Sequence, residues 1–166
     1  MIAPCAEKDF QDILEIVNDA ASAYRGVIPA DRWHEPYMPA QELRAEMAAG
    51  VVFWGFTQDA RLVGVMGLQN VKDVALIRHA YTRTRLRGKG IGDALLRDLT
   101  RKTDRPLLVG TWRAATWAVR FYEKRGFKLA NDAEKTRLLK RYWSIPARQV
   151  EESVVLQYSA SRAPQP

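Results

Sequence analysis

A chain of 166 residues, 47% hydrophobic and 27% charged, suits one compact domain large enough to bury its own core. No run approaches the ~18 apolar residues of a membrane span, and a single cysteine, Cys5, excludes an internal disulfide. The net charge of +7 raises nucleic acid as a partner, whereas two distant histidines, His34 and His79, give no metal-ligand spacing.

In chain order, residues 2–4 read as a short first strand. Glu7, Lys8 and Asp9 stand where a signal peptide would be apolar, which points to a cytoplasmic protein. A helix over 7–24 is expected from Phe10, Ile13, Leu14, Val17, Ala21 and Tyr24, which recur at helical spacing and pack one face. Residues 25–39 form a loop with Pro29, Pro36 and Pro39 and two large aromatics, Trp33 and Tyr37. Loops of that length without structure are uncommon unless functional.

A second helix is expected over 40–49, ending at Gly50. Three strands follow, over 51–57, 61–71 and 73–82, the first two joined near Asp59 as an antiparallel meander. A helix over 92–102 buries Ile91, Leu95 and Leu99 on one stripe. Then come a strand over 107–112, a helix stopped by Gly126, strands over 127–130 and 150–158, and an extra short helix over 133–143 between those two. The domain should span residues 1–158, with a frayed tail over 159–166.

The most informative stretch is Arg87-Gly88-Lys89-Gly90-Ile91-Gly92, between a strand and a helix. Glycines there forfeit helical propensity, which makes sense if a ligand must approach the backbone. A helix N-terminus also offers unpaired amides and a positive dipole end, so the stretch reads as a pyrophosphate cradle, with Arg85, Arg87 and Lys89 adding charge. A nucleotide-triphosphatase loop fails, because Lys89 is followed by Gly90 and position 83 is Arg. A dinucleotide fingerprint also fails, because its third glycine would fall at Asp93.

What remains, Arg-x-x-Gly-x-Gly at Arg87, Gly90 and Gly92, resembles motif A of the GNAT N-acetyltransferase superfamily. Downstream, Ala118-Val119-Arg120-Phe121-Tyr122-Glu123-Lys124-Arg125-Gly126-Phe127 resembles that family's motif B, in the family's order. The resemblance covers about residues 2–156 and implies an α/β (α+β) GNAT fold. Its central sheet would be mixed, mostly antiparallel, of about seven strands flanked by helices.

Charge placement agrees with a phosphorylated cofactor. Residues 1–77 hold 6 basic and 11 acidic residues, 78–105 hold 9 against 3, and 113–148 hold 10 against 3. The positive charge centres on the two motifs, and no nucleic-acid motif accompanies it.

The resemblance implies acetyl-CoA as cosubstrate and no metal. It puts the pyrophosphate on Arg87, Gly88, Lys89, Gly90, Ile91 and Gly92, the Ala80 amide at the thioester carbonyl as oxyanion donor, and Thr82 on pantetheine. The amine attacks the thioester directly, leaving Cys5 a bystander, and Tyr122 is the candidate acid for the departing thiolate. Where the family often has a cofactor-binding Asn, this chain has Ala115.

For the base, strand alternation puts Leu76 and Arg78 on the face of Ala80 and turns His79 away, leaving His34 and Glu35 of the loop as candidates. Trp33, Tyr37, Trp54 and Trp112 are candidate walls of an acceptor pocket. Arg78 either holds an acceptor carboxylate or pairs with a loop acid such as Glu35. The implied acceptor is a small-molecule primary amine, with no nucleic acid or membrane partner and a homodimer left open. The alternatives are a protein N-terminal or lysine acetyltransferase and a non-catalytic acyl-CoA sensor.

Overall fold

The computed structural model describes residues 1–159, so the expectation of a frayed tail lies, beyond Ser159, outside the described residues. Seven strands form one mixed sheet: β1 (Ile2–Pro4), β2 (Val52–Gln58), β3 (Arg61–Val71), β4 (Val74–Thr82), β5 (Leu107–Trp112), β6 (Lys128–Leu129) and β7 (Ser153–Tyr158). Their order is β1-β2-β3-β4-β5-β7-β6, so the last strand inserts between β5 and β6. The pairs β1–β2, β2–β3, β5–β7 and β6–β7 are antiparallel. The described residues also form six α-helices: α1 (Phe10–Ala21), α2 (Ala40–Ala48), α3 (Ile91–Leu99), α4 (Thr116–Glu123), α5 (Asp132–Tyr142) and α6 (Ala147–Glu151).

The chain divides into two compact units. Among the described residues, the first holds 1–70 and 77–102 and the second holds 71–76 and 103–159. In the first, α1 buries Phe10, Ile13, Ile16 and Val17, and α2 buries Leu43. These side chains close one core with Val51, Phe53, Leu62 and Val65. Ile16 is fully buried whereas Leu14 is only partly so, which turns the helix stripe slightly from the expected one. The hairpin β2–β3 closes on Asp59 and Ala60, at φ 49° and 60°, between the paired Gln58 and Arg61. Two left-handed residues are what a two-residue hairpin turn needs to match the strand twist.

Gly64 on β3 decides where α3 sits. A Cβ on it would lie 2.6 Å from Ile91 Cγ2, so only glycine lets the first turn of this helix press onto the strand.

In the second unit, Val74, Leu76, Leu108, Leu138, Leu139, Val150 and Val155 form a separate core. The last strand begins later than expected. Pro146 starts a helical turn, whose Val150 amide bonds the Pro146 carbonyl at 3.1 Å, so residues 150 and 151 are helical and β7 opens at Ser153. The short helix foreseen over 133–143 is present as α5. Asn131 caps it by accepting the Glu134 amide at 2.9 Å.

Candidate active site

The turn leading into α3 has the geometry of an anion cradle. Gly88 and Gly90 adopt φ 77° and 81°, in the left-handed region that favours glycine, and Gly90 is the N-cap of α3. A Cβ added to either would meet nothing within 4 Å, so the backbone faces open space that a phosphate chain fits. The helical ladder begins with the Ala94 amide on the Gly90 carbonyl at 3.0 Å, which leaves the amides of Ile91 and Gly92 without intrahelical acceptors. Arg85, Arg87 and Lys89 are exposed around the turn and form no ion pair among the described residues.

The approach to this turn is pinned to α1. Arg83 donates through Nε to the Leu62 carbonyl at 3.0 Å and through its terminal nitrogen to Asp12 at 3.2 Å. The Thr84 amide bonds the Asp19 carboxylate at 2.6 Å. Thr82 is half-buried, its hydroxyl 3.4 Å from where a Gly64 Cβ would stand, so it faces the α3 side of the sheet.

Along β4 the expected alternation fails. His79 has φ 52°, a left-handed backbone costing a non-glycine residue about 1–2 kcal/mol. Its side chain is therefore not turned away from that of Arg78: both reach the same carboxylate, Glu46 on α2. His79 Nε2 is hydrogen-bonded to Glu46, and an Arg78 nitrogen lies 3.3 Å from its other oxygen. Arg78 also donates to Gln69 at 2.9 Å. Burial pushes the Glu46 carboxyl up, but the His79 hydrogen bond and the His79 and Arg78 charges outweigh it and hold the group below its ordinary value. Ala80, the expected oxyanion donor, is the half-buried residue next to His79.

The loop over 25–39 is held both by α1 and by bonds within itself. Asn18 of α1 accepts the Met38 amide at 2.8 Å and donates to the Met38 carbonyl at 2.9 Å. Glu35 accepts from Arg25 and, at 3.2 Å, from Trp33 Nε1, so it anchors the loop rather than meeting Arg78. His34 Nδ1 donates to the Pro36 carbonyl at 2.7 Å, which leaves its Nε2 as the free acceptor on an exposed ring.

Ring contacts continue from this loop to the strand. Trp33 stacks on Tyr37 at 5.6 Å, Tyr37 meets Tyr24 at 5.7 Å, and Tyr24 meets Tyr81 at 6.4 Å. Tyr81 meets His79 at 6.2 Å, and His79 stacks on Phe53 at 6.0 Å. Trp54 takes no part in this run, since its face carries Lys102 at 3.7 Å. Glu46 and Tyr81 escape a sequence reading, and Tyr24 reads only as a packing residue of the first helix, because they belong to neither motif and only the fold unites them.

In the second unit, Tyr122 is buried, edge-on to Phe121 at 5.0 Å and to Phe127 at 5.3 Å. Ala115 is fully buried at the N-cap of α4, and Trp112 is 8% exposed on β5. Cys5 is held as a thiol: burial, then the charge of Asp9, raise it to about 11.

The family model "Acetyltransferase (GNAT) domain" matches residues 17–138. Among curated proteins no match was found. The PaiA N-acetyltransferase of Thermoplasma acidophilum, solved with coenzyme A, is similar at TM-score 0.70 and 18% identity, over 96% of this chain and 98% of that one. The ribosomal-protein-alanine N-acetyltransferase of Brucella melitensis follows at TM-score 0.66 and 17% identity, over 96% and 99%. The N-acetylglutamate synthase of Neisseria gonorrhoeae, solved with coenzyme A and N-acetylglutamate, has TM-score 0.66 and 16% identity, over 98% of this chain and 35% of that one.

Proposed function

The chain belongs to the GNAT acetyltransferase family, and on that premise we propose that it moves acetyl from acetyl-CoA to a primary amine of a small molecule by direct attack in a ternary complex. The observation that carries this reading is the coexistence, in one compact unit, of an open glycine cradle and a His79–Glu46 pair beside Ala80. Acetyl-CoA supplies the reactive thioester. The amides of residues 88–92 hold its pyrophosphate, with Arg87 and Lys89 adding charge, and Thr82 binds pantetheine.

The Ala80 amide donates to the carbonyl oxygen as negative charge develops there, an interaction whose removal elsewhere costs about 3–4 kcal/mol of transition-state stabilisation. His79, with Nε2 hydrogen-bonded to Glu46, presents Nδ1 to accept a proton from the attacking amine. Glu46 positions that imidazole. His34, with its free Nε2, is the second candidate base, whereas Glu35 is occupied by Arg25 and Trp33. Tyr122 is assigned as the acid for the departing thiolate, on its place in motif B.

The names of the similar structures include both a ribosomal-protein acetyltransferase and an acetylglutamate synthase, so the choice of acceptor rests on the loop. Its internal bonds and stacked rings favour a compact acceptor held over Tyr81. A thiol-release assay with acetyl-CoA tests the reading against small amines and against peptides with free N-termini or lysines. Turnover of small amines supports it; turnover confined to peptides overturns it in favour of a protein acetyltransferase.

A further inference from the structure

The ring contacts of the first unit make one continuous path. It starts at Trp33 and Tyr37 of the loop, passes Tyr24 in the turn after α1, and reaches Tyr81 and then His79 on β4. Trp33, Tyr24, Tyr37 and Tyr81 are all half-buried rather than sealed in the core. The loop already shows what such rings hold. The Arg25 guanidinium lies 5.3 Å from the Trp33 ring centroid while pairing with Glu35.

The charged side chains nearest His79 are already paired with one another or with Gln69. An acceptor carboxylate would look to Arg78, but that guanidinium is engaged by Glu46 at 3.3 Å and Gln69 at 2.9 Å. A polyamine needs a second anionic group beside the reacting amine. Glu46 is taken up by His79 and Arg78, and Glu35 by Arg25.

Resting on the small-molecule reading above, we propose that the acceptor is a primary amine carried on an aromatic body, an arylalkylamine without a carboxylate. Its ring packs among Tyr24, Tyr37 and Tyr81, and its amine meets His79. Offset and edge-on ring pairs are favourable beyond the area they bury, and a ligand ring extends the existing run. In the step itself, the neutral amine nitrogen forms a bond to the acetyl carbonyl carbon and the carbon–sulfur bond breaks. The electron pair leaves with the thiolate. One amine proton passes to His79 and the thiolate takes up a proton, giving the N-acetyl amide and free CoA.

The test compares initial rates with phenethylamine, hexylamine, spermidine, phenylalanine and a short peptide, using the full chain and acetyl-CoA. The expected kcat/KM for phenethylamine exceeds that for hexylamine and for phenylalanine by about tenfold or more. Tyr37→Leu should bring the phenethylamine-to-hexylamine ratio toward one, while Tyr37→Phe, which keeps the ring, preserves it. Calorimetric CoA binding checks that the Leu variant is folded. Hexylamine used as well as phenethylamine, or phenylalanine preferred, overturns this inference and leaves the small-molecule reading standing. Turnover of the peptide alone overturns both.

Discussion

His79 and Glu46 lie 33 residues apart in sequence, and His79 Nε2 meets the Glu46 carboxylate directly. The contact uses one ring nitrogen and leaves the other available, in a residue of strained backbone that directly precedes the expected oxyanion donor. Strained positions of this kind cluster at functional sites. His79→Gln is therefore expected to lower kcat by about 10²- to 10⁴-fold, the range of general base catalysis, with CoA binding kept. Added imidazole should restore part of the rate, which simple loss of packing would not allow. Glu46→Gln should cost less, because it loosens the imidazole without removing it. Near-parental kcat in His79→Gln returns the role to His34.

The same pair sets a pH dependence of stability. The folded Glu46 carboxyl sits below its ordinary value, so its contribution is fully present above the unfolded value of about 4.3 and is lost as pH falls through the folded one. Melting curves between pH 6 and pH 3 should show the parent losing more stability than Glu46→Gln over the acid end. Parallel losses in the two proteins contradict this.

At the cradle, Gly90→Val forces a β-branched residue into φ 81° and fills the space before the amides. Weakening of CoA binding by at least about tenfold is expected, as read by calorimetry. Arg87→Ala should weaken binding less, and the difference should shrink at high salt because the side chain is exposed. A Gly90→Val protein that binds CoA as tightly as the parent rules the cradle out.

Much of this arrangement is legible in the sequence. The glycine turn, α3 and strands β3 and β5 follow from periodicity and turn residues, because glycine and hydrophobic spacing act over a few neighbours. The His79–Glu46 pair was not legible. Alternation along β4 assumes φ stays negative, and nothing local to His79 announces a left-handed residue. Glu46 reaches it only through the packing of α2. Likewise, β7 starts later than its apolar pattern suggests, because Val150, an apolar residue, reads equally well as strand or as the buried face of the short α6.

Tyr122→Phe separates acid from packing. The hydroxyl is removed while the ring stays against Phe121 and Phe127. A fall in kcat of about 10² or more with little change in melting temperature is expected. If kcat holds, Tyr122 serves only the core of the second unit.

Direct attack requires that no acyl-enzyme forms. Cys5, raised to about 11 by burial and the charge of Asp9, should alkylate about two orders of magnitude more slowly in the native than in the unfolded protein at pH 8. Equal alkylation rates, followed by loss of activity, would assign Cys5 a role the structure does not support.

The most direct measurement is a two-substrate initial-rate study, varying acetyl-CoA against a small primary amine and following thiol release. Transfer in a ternary complex predicts double-reciprocal lines that intersect. Parallel lines, the mark of a covalent acyl-enzyme, or thiol release indifferent to the amine, would contradict the account.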